Sequence, residues 1–304
     1  MSLRIFVTGA SGYLGSAYAA RLARAGHDVY GMTRNAERGA GLANAGIRPV
    51  FGDLDQPDSF VGTLKNCDAA VHAALDPSAP AARDQKALEA FRVAAQDGRL
   101  RRLIYTSGTW VHGDSQGRVI DESTPLTPLE LVRWRAAHED VATDLAEHDV
   151  ASIVLRPTIV YGESRGILGA LFQEAREKRT VTYAGDGRQT WGLVHRDDVA
   201  EAGALALEHA KGGDRFVLCD ESQHTVREIA EAIARVTGAE PKALPRESVI
   251  ERLGAYGEAL LTSQKVSSAR ARRELGWVPR HTSFVNEVDV LYREWLSFKG
   301  TPVA

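Results

Sequence analysis

The sequence predicts an α/β protein built on a doubly wound parallel sheet. Residues 1–110 alternate strand-like and helix-like patterns, and a glycine-rich turn joins the first strand to the first helix. Strands separated by helices need crossover connections, which are right-handed and give a parallel sheet with helices on both faces. The 304 residues, 44% hydrophobic and 25% charged, suffice for one large domain or two joined lobes.

The first half of the chain contains one clear helical pattern and a series of short strands. Residues 12–25 carry Leu14, Tyr18 and Leu22 on one helical stripe, and Gly26 ends that helix. Strands are predicted at residues 3–8, 27–32, 48–52, 69–73 and 103–107, with helical intervals between most of them.

The second half begins with a long helix at about residues 129–147 and a strand at 151–156, which Pro157 ends. Later helices are predicted at 167–178, 226–237, 266–275 and 284–296, and later strands at 180–183 and 215–218. We expect one domain over residues 1–156 and a second lobe over most of 157–304, with about 188–220 returning to the first domain.

Composition and charge exclude several classes of protein. The net charge of −3 leaves no basic excess to neutralise phosphates, so we expect no nucleic acid as a partner. No stretch approaches the ~18–20 apolar residues that span a bilayer, and we expect no membrane partner. Two separated cysteines, Cys67 and Cys219, give neither a disulfide framework nor a zinc cluster. No metal site and a cytoplasmic location are therefore expected.

The turn between the first strand and the first helix reads Thr8-Gly-Ala-Ser-Gly-Tyr-Leu-Gly15. Glycine at such a turn lets the backbone approach a pyrophosphate, and the helix N-terminus offers free N–H groups and a favourable dipole. The same glycines also suit a merely tight turn. Their place on the first βα turn of an alternating chain favours a dinucleotide site.

The end of the second strand indicates which dinucleotide binds. NAD-selective sites place a carboxylate there, roughly 20 residues after the glycines, to bind the ribose hydroxyls. Here no acid occurs between Tyr30 and Glu37, and Arg34 is available for a charge-assisted contact to a 2′-phosphate. The alternative is a solvent-exposed arginine. We expect NADP, and hence an NADP-binding first domain.

Over nearly its whole length the chain resembles the extended members of the short-chain dehydrogenase/reductase superfamily, the epimerases and dehydratases. The resemblance lies in residues 8–15, Gly-Asp-Leu at 52–54, Val-His-Ala-Ala at 71–74, Leu-Arg-Pro at 155–157, Val-Tyr-Gly at 160–162, Val-His-Arg-Asp-Asp-Val-Ala at 194–200 and Leu-Gly-Trp-Val-Pro at 275–279. It implies a Rossmann-type domain with a smaller C-terminal substrate-binding lobe.

The resemblance also implies which residues contact the cofactor. The position of Asp53 lies beside the adenine in similar proteins, Ala73 and Ala74 line the cofactor, and the segment after Pro157 borders the nicotinamide. The full set of expected cofactor residues is Gly9, Ser11, Gly12, Tyr13, Leu14, Gly15, Arg34, Asp53, Leu54, Ala73, Ala74, Thr106, Arg135, Pro157 and Ile159.

The catalytic positions depart from the family pattern. Similar proteins carry Tyr-x-x-x-Lys on the long helix, but no tyrosine here has lysine four residues later. When Glu139 is aligned with the acid that often follows the lysine, Arg135 falls on the lysine position and Leu131 on the tyrosine position. The usual serine position falls on Gly108, and Asp84 takes the place of an asparagine. The chain therefore resembles an atypical member.

Another group must supply the proton if one is transferred. The candidates near the expected pocket are Ser107, Thr109, His112, Tyr161 and Asp84, or bound water. Of these we single out three as catalytic candidates: Ser107 to polarise a carbonyl, His112 because imidazole titrates near ~6.5, and Asp84. His112 also occupies a position that commonly packs structurally in similar proteins.

The expected substrate is a mainly apolar small molecule. Nucleotide-sugar enzymes of this kind carry an arginine where this chain has Trp191, and Trp110 and Trp134 lie near the expected cleft. The alternative is that these tryptophans belong to the core.

We expect an NADP-dependent oxidoreductase that transfers a hydride to or from a carbonyl or alcohol carbon. The alternatives are an epimerase or dehydratase without net cofactor consumption, and a non-catalytic NADP(H)-binding regulator. Similar proteins often form homodimers through the helices near 84–95 and 129–147.

Overall fold

A parallel sheet lies at the centre of the molecule, whose computed structural model describes residues 2–300. The strands are β1 Arg4–Thr8, β2 Asp28–Thr33, β3 Arg48–Phe51, β4 Ala69–His72, β5 Arg102–Thr106, β6 Val119–Ile120, β7 Ala151–Pro157, β8 Ile159–Tyr161, β9 Thr180–Ala184, β10 Leu193–His195, β11 Arg215–Leu218, β12 Glu240–Leu244 and β13 Lys265–Val266. The helices are α1 Tyr13–Arg24, α2 Ala36–Asn44, α3 Val61–Leu64, α4 Pro80–Asp97, α5 Arg133–Thr143, α6 Gly166–Lys178, α7 Arg196–His209, α8 Val226–Thr237, α9 Arg246–Leu260, α10 Ala269–Leu275 and α11 Phe284–Gly300.

Within the described residues the central sheet has seven strands in the order β11-β7-β5-β4-β1-β2-β3, all parallel. The chain winds outward in one direction from β1 to β3 and in the other from β4 to β11. The strand order therefore reverses between β1 and β4, where Thr8 pairs with His72. In open α/β sheets this reversal opens a crevice at the carboxyl ends of the strands, which is where ligands bind.

Helices cover both faces of the sheet. On one face α1 packs against α7, and Tyr18 of α1 is buried in the same core as Val7 of β1. On the other face Phe91 of α4 shares a core with Phe6 and with Phe60, whose ring centroid lies 5.8 Å from that of Phe6. The predicted α/β fold class is confirmed.

The smaller lobe contains α6, α8 and α11 around the parallel pair β9 and β12. Its core includes Phe172, Phe284 and Trp295. At the start of α8, Thr225 and Glu228 form a reciprocal capping box, which satisfies two backbone N–H groups that the helix itself leaves free. Although β11 lies late in the sequence, it sits at the edge of the central sheet beside β7.

Two predicted helices are shorter than expected. Val132 leaves the helical region (φ −125°, ψ 16°), so the segment 129–147 divides into a short 3-10 helix at Glu130–Val132, α5, and a second 3-10 helix at Asp144–His148. The helix expected from residue 266 begins only at Ala269, because Lys265 and Val266 pair with β6. Among the described residues, no helix combines the length and apolar character needed to cross a bilayer.

Candidate functional site

A cavity of about 940 Å³ opens at the carboxyl edge of the central sheet. The loops after β1, β2, β3, β4 and β5 line it, together with the segment after β7 and residues of α5, α6 and α9. The cavity therefore lies where the strand order reverses and extends from there to the smaller lobe. It has two parts. The dinucleotide end is formed by the loops after β1, β2 and β4, and the substrate end is lined by Trp110, Leu131, Trp134, Ile167 and Tyr256.

The glycine turn forms the floor of the dinucleotide end. Gly9 has a φ of +67°, which L side chains rarely adopt, and its carbonyl accepts a 2.7 Å hydrogen bond from Gly12 N. The helical ladder of α1 begins only with Ser16 N donating to Gly12 O. The amides of Tyr13 and Leu14 therefore have no acceptor in their own helix, which fits a pyrophosphate.

The loop after β4 packs directly on this turn. A β-carbon on Gly9 would lie 2.8 Å from Ala74 Cα. Thr8 Oγ1 accepts hydrogen bonds from the amides of Ala73 at 3.2 Å and Ala74 at 3.3 Å. The two loops thus hold each other in place.

Two arginines line the cavity beside the end of β2. Arg34 is 61% exposed and donates to Asp76 Oδ2 at 3.2 Å. Arg38 projects from the first turn of α2, where Asn35 Oδ1 accepts from the Arg38 amide at 2.8 Å. The strand itself ends in Thr33, whose hydroxyl lies 3.2 Å from Ser11 Oγ. The guanidinium and hydroxyl groups here can donate hydrogen bonds to a dinucleotide.

The structure brings most of the expected cofactor residues together. Those that line the cavity are Gly9, Ser11, Gly12, Tyr13, Leu14, Arg34, Asp53, Leu54, Ala73, Ala74, Thr106, Arg135, Pro157 and Ile159. Gly15 lies outside the lining, beneath the turn, where its backbone packs on the carbonyl of Gly9. Arg38 belongs to the same wall, but the sequence analysis did not include it among the cofactor residues. The available signal was a second basic side chain four residues after Arg34.

Ser107 lies in the wall between the two ends of the cavity. It follows β5 directly and is 8% exposed, and its Oγ has no hydrogen-bond partner within the described chain. Such a buried, unpartnered hydroxyl costs free energy unless a ligand satisfies it. Next to it, the carbonyl of Thr106 accepts from Arg135 Nη1 at 2.9 Å, and the Arg135 guanidinium lies 4.6 Å from the centre of the Trp134 ring.

His112 lies outside the cavity lining, which corrects the expectation that it is the acid. Its ring is buried, and its Nε2 accepts from Arg156 Nη1 at 3.2 Å, while Arg156 is held by Glu139. Burial, and then the Arg156 charge, lower the pKa of His112 to about 4. The ring does not line the cavity and its Nε2 is occupied by arginine, so His112 is not placed to protonate a substrate there.

Asp84 also lies outside the cavity lining, so the expectation of direct catalysis is corrected there too. Its Oδ1 lies 3.0 Å from His72 Nε2, and its Oδ2 accepts from Tyr105 at 2.8 Å and lies 2.7 Å from His138 Nδ1. Burial alone would raise the pKa of this carboxyl, but hydrogen bonds from His138 and His72 hold it well below its usual range. Asp84 therefore ties α4 to β4, β5 and α5.

Aromatic and aliphatic side chains surround the substrate end. Trp110, Trp134 and Leu131 line it as expected near the cleft. Trp191 does not: it is 4% exposed in the core of the smaller lobe, and its Nε1 donates to the carbonyl of Leu260. The interpretation as a core residue therefore holds for Trp191.

Tyr256 of α9 lines the substrate end and was missed by the sequence analysis. Glycines interrupt the apolar pattern of α9 on either side of it, and Gly254 has non-helical angles (φ 54°, ψ −133°). Pro245 immediately before the helix and Glu247 in its first turn were the available signals for α9. No local feature indicated that this tyrosine reaches the cavity.

A family model described as the NAD dependent epimerase/dehydratase family matches residues 5–219 of the chain. The chain belongs to this family. An uncharacterized protein of Schizosaccharomyces pombe is 30% identical over 294 residues, covering 94% of this chain and 98% of the relative.

A further relative of this epimerase/dehydratase family member and a solved structure with the same fold carry different activities in their names. A 4-hydroxy-2-methyl-3-oxo-4-farnesyl-3,4-dihydroquinoline-1-oxide ketoreductase of Stigmatella aurantiaca is 28% identical, covering 92% of this chain and 93% of the relative. The structure of a dTDP-glucose 4,6-dehydratase from Streptomyces venezuelae, with NAD and TYD bound, superposes with a TM-score of 0.84 at 21% identity, covering 99% of this chain and 100% of that one. The latter likeness shows the fold.

Proposed function

We propose that this family member reduces a carbonyl group on a mainly apolar small molecule at the expense of NADPH. The observation that carries the proposal is the substrate end of the cavity, whose walls are Trp110, Leu131, Trp134, Ile167 and Tyr256. Apolar and aromatic walls with few polar groups bind apolar ligands and orient them through those few groups. The ketoreductase relative acts on a farnesylated compound, which is consistent with such a pocket.

The choice of NADPH rests on Arg34 and Arg38. Both side chains line the cavity at the end of β2, where NAD-selective sites place an acid. Among the residues that the structure describes, the Arg34 guanidinium pairs with Asp76 alone, at 3.2 Å and at an exposed position, so it can turn toward a 2′-phosphate. The nicotinamide would then lie near Ser107, Pro157 and Ile159.

The protein's own groups then position the reactants. A bound NADPH supplies a hydride to the carbonyl carbon. The unpartnered Ser107 hydroxyl donates to the carbonyl oxygen and polarises it. Arg135 holds the Thr106 carbonyl and stacks on Trp134, so it fixes the wall next to Ser107; a guanidinium does not release a proton.

The test is a direct assay with aromatic aldehydes such as 4-nitrobenzaldehyde, followed by the loss of NADPH. Stoichiometric oxidation of NADPH supports the proposal, and Ser107→Ala should lower kcat by about 10²-fold. Epimerisation of UDP-glucose in the presence of the oxidised cofactor, without its net reduction, would instead identify an epimerase. Tight NADPH binding without turnover of any carbonyl compound would identify the regulator that retains only the cofactor site.

A further inference from the structure

We propose that Tyr256 donates a proton to the reacting oxygen of the substrate, from the smaller lobe, in place of the tyrosine that this chain lacks on α5. This inference rests on the proposed carbonyl reduction. It assigns the general acid that Leu131 and Arg135 leave unassigned, since a leucine has no proton to give and a guanidinium does not release one.

Among the tyrosines of the described chain that line the cavity, Tyr256 is the one whose hydroxyl has no hydrogen-bond partner. Tyr13 also lines the cavity, but its hydroxyl donates to Gly162 O at 3.0 Å. Tyr161 is buried and its hydroxyl donates to Asp220. The hydroxyl of Tyr256 has no hydrogen-bond partner within residues 2–300, and the residue is 39% exposed, so this hydroxyl is available to a ligand.

The fold places Tyr256 opposite Leu131, the residue that takes the position of the tyrosine in similar proteins. Helix α9 packs against the 3-10 helix Glu130–Val132, whose middle residue is Leu131. Leu131 and Tyr256 both line the substrate end, together with Trp110 and Trp134. A phenol from α9 therefore enters the same part of the cavity that a tyrosine at residue 131 would reach from α5's side.

The loop after α9 is fixed to the loop that follows Ser107. Gln264 Nε2 donates to the carbonyls of Thr109 at 2.8 Å and Gly113 at 2.7 Å, and Thr109 Oγ1 donates back to Gln264 Oε1 at 2.8 Å. These groups are buried. Because the side chain of Gln264 bridges the two segments, Tyr256 and Ser107 keep a defined spatial relationship even though they belong to different lobes.

The proposed reduction adds one hydride and one proton to the carbonyl group. The carbonyl carbon gains a hydride from the reduced nicotinamide, the π electron pair of C=O moves to oxygen, and that oxygen takes the proton of Tyr256. Water, which reaches the partly exposed ring, reprotonates the phenolate. Burial raises the pKa of Tyr256, so the phenol carries its proton at neutral pH.

The experiment compares Tyr256→Phe with Tyr292→Phe in the full chain. The control also removes a hydroxyl from the smaller lobe, but Tyr292 stacks on Phe172 at 5.3 Å in the core and lies outside the cavity lining. The probes are 4-nitrobenzaldehyde with NADPH for turnover, and 4-nitrobenzyl alcohol binding to the NADP⁺-loaded protein by calorimetry. NADPH binding, measured by nicotinamide fluorescence, reports whether each variant is folded.

We expect Tyr256→Phe to bind NADPH like the wild type, to lose about 10²-fold in kcat with KM changed by less than about threefold, and to bind the alcohol about fivefold more weakly. Tyr292→Phe should match the wild type in all three. Wild-type kcat and alcohol affinity in Tyr256→Phe, with loss of activity in Ser107→Ala, would overturn the role of Tyr256 alone. A wild-type protein that neither reduces the aldehyde nor binds the alcohol would overturn the proposed function, and this inference with it.

Discussion

Gly15 lies against the carbonyl oxygen of Gly9, so close that a β-carbon on Gly15 would overlap that oxygen. The contact brings the first turn of α1 onto the loop after β1. That same Gly9 carbonyl accepts the hydrogen bond from Gly12 N. The absence of a side chain at residue 15 is therefore what lets the amides at the start of α1 stand next to the turn.

Gly15→Ala should displace the turn and weaken NADPH binding by at least about tenfold, while lowering the free energy of unfolding by about 1–3 kcal/mol. The reason is that the methyl group meets backbone, which cannot rotate away. Fluorescence titration with NADPH and urea unfolding measure the two effects.

The matched control is Gly41→Ala on the exposed face of α2, where a β-carbon meets nothing within 4 Å. Because alanine favours the helix, this variant should gain roughly 0.5–1 kcal/mol in the free energy of unfolding. It should leave NADPH affinity unchanged. Equal NADPH affinity in both alanine variants would show that the turn does not hold the cofactor.

Arg34→Ala combined with Arg38→Ala should separate NADPH from NADH. Loss of two charge-assisted contacts to the 2′-phosphate should weaken NADPH binding by about 10–100-fold, while NADH affinity changes by less than about threefold. Both affinities are measured by nicotinamide fluorescence. Arg235→Ala, an exposed arginine on α8 outside the cavity lining, controls for the loss of a positive charge from the surface. A wild-type preference for NADH would overturn the proposed role of Arg34.

The dinucleotide end could be predicted from the sequence because its signals are local. The residues from Thr8 to Gly15 form one continuous turn, and Arg34 follows β2 directly. Each short segment therefore carries its own conformational and chemical information, which the alternation of strands and helices then places at one edge of the sheet.

The substrate end could not be predicted in the same way because it depends on tertiary contacts. Tyr256 reaches the cavity only because α9 packs on the short helix that contains Leu131. His112 was predicted to reach the cavity, but its ring does not line it. It is near Ser107 in sequence, but the 3-10 helix Thr109–His112 turns its ring toward Arg156 and away from the cavity.

His112→Gln should retain NADPH-dependent turnover within about threefold of the wild type, because the ring does not line the cavity. It should also change how stability depends on pH. The folded pKa of about 4 lies below the ordinary value of a histidine, so the unfolded chain binds the proton more readily. The stability that neutral His112 contributes is present above about pH 6.5 and is lost as pH falls toward 4.

Urea unfolding at pH 7.5, 6 and 5 measures this difference. We expect the free energy of unfolding to fall less steeply with acid in His112→Gln than in the wild type. A parallel decline in both proteins would show that His112 titrates normally. A loss of kcat by about 10²-fold in a folded His112→Gln variant would restore the histidine as a candidate acid.

Asp84→Asn tests whether the buried carboxylate positions the site or acts in catalysis. Three groups converge on its oxygens, and one of them is His72. The ring of His72 also lies 2.8 Å from Thr8 Oγ1. That hydroxyl oxygen accepts hydrogen bonds from the amides of Ala73 and Ala74. Removing the charge should cost about 3 kcal/mol in the free energy of unfolding. Through the loop after β4 it should also weaken NADPH binding more than it lowers kcat at saturating NADPH.

The pH dependence distinguishes this charge from a merely polar contact. Because the folded pKa of Asp84 is lowered, its stabilising contribution is complete above the ordinary carboxyl pKa of about 4 and is lost only as pH falls through the folded value. The difference in free energy of unfolding between wild type and Asp84→Asn should therefore not shrink between pH 8 and pH 5. A difference that disappears within this range would mean that Asp84 is protonated in the native protein. A variant with wild-type NADPH affinity and a kcat lowered by about 10²-fold would assign the carboxylate to the chemical step instead.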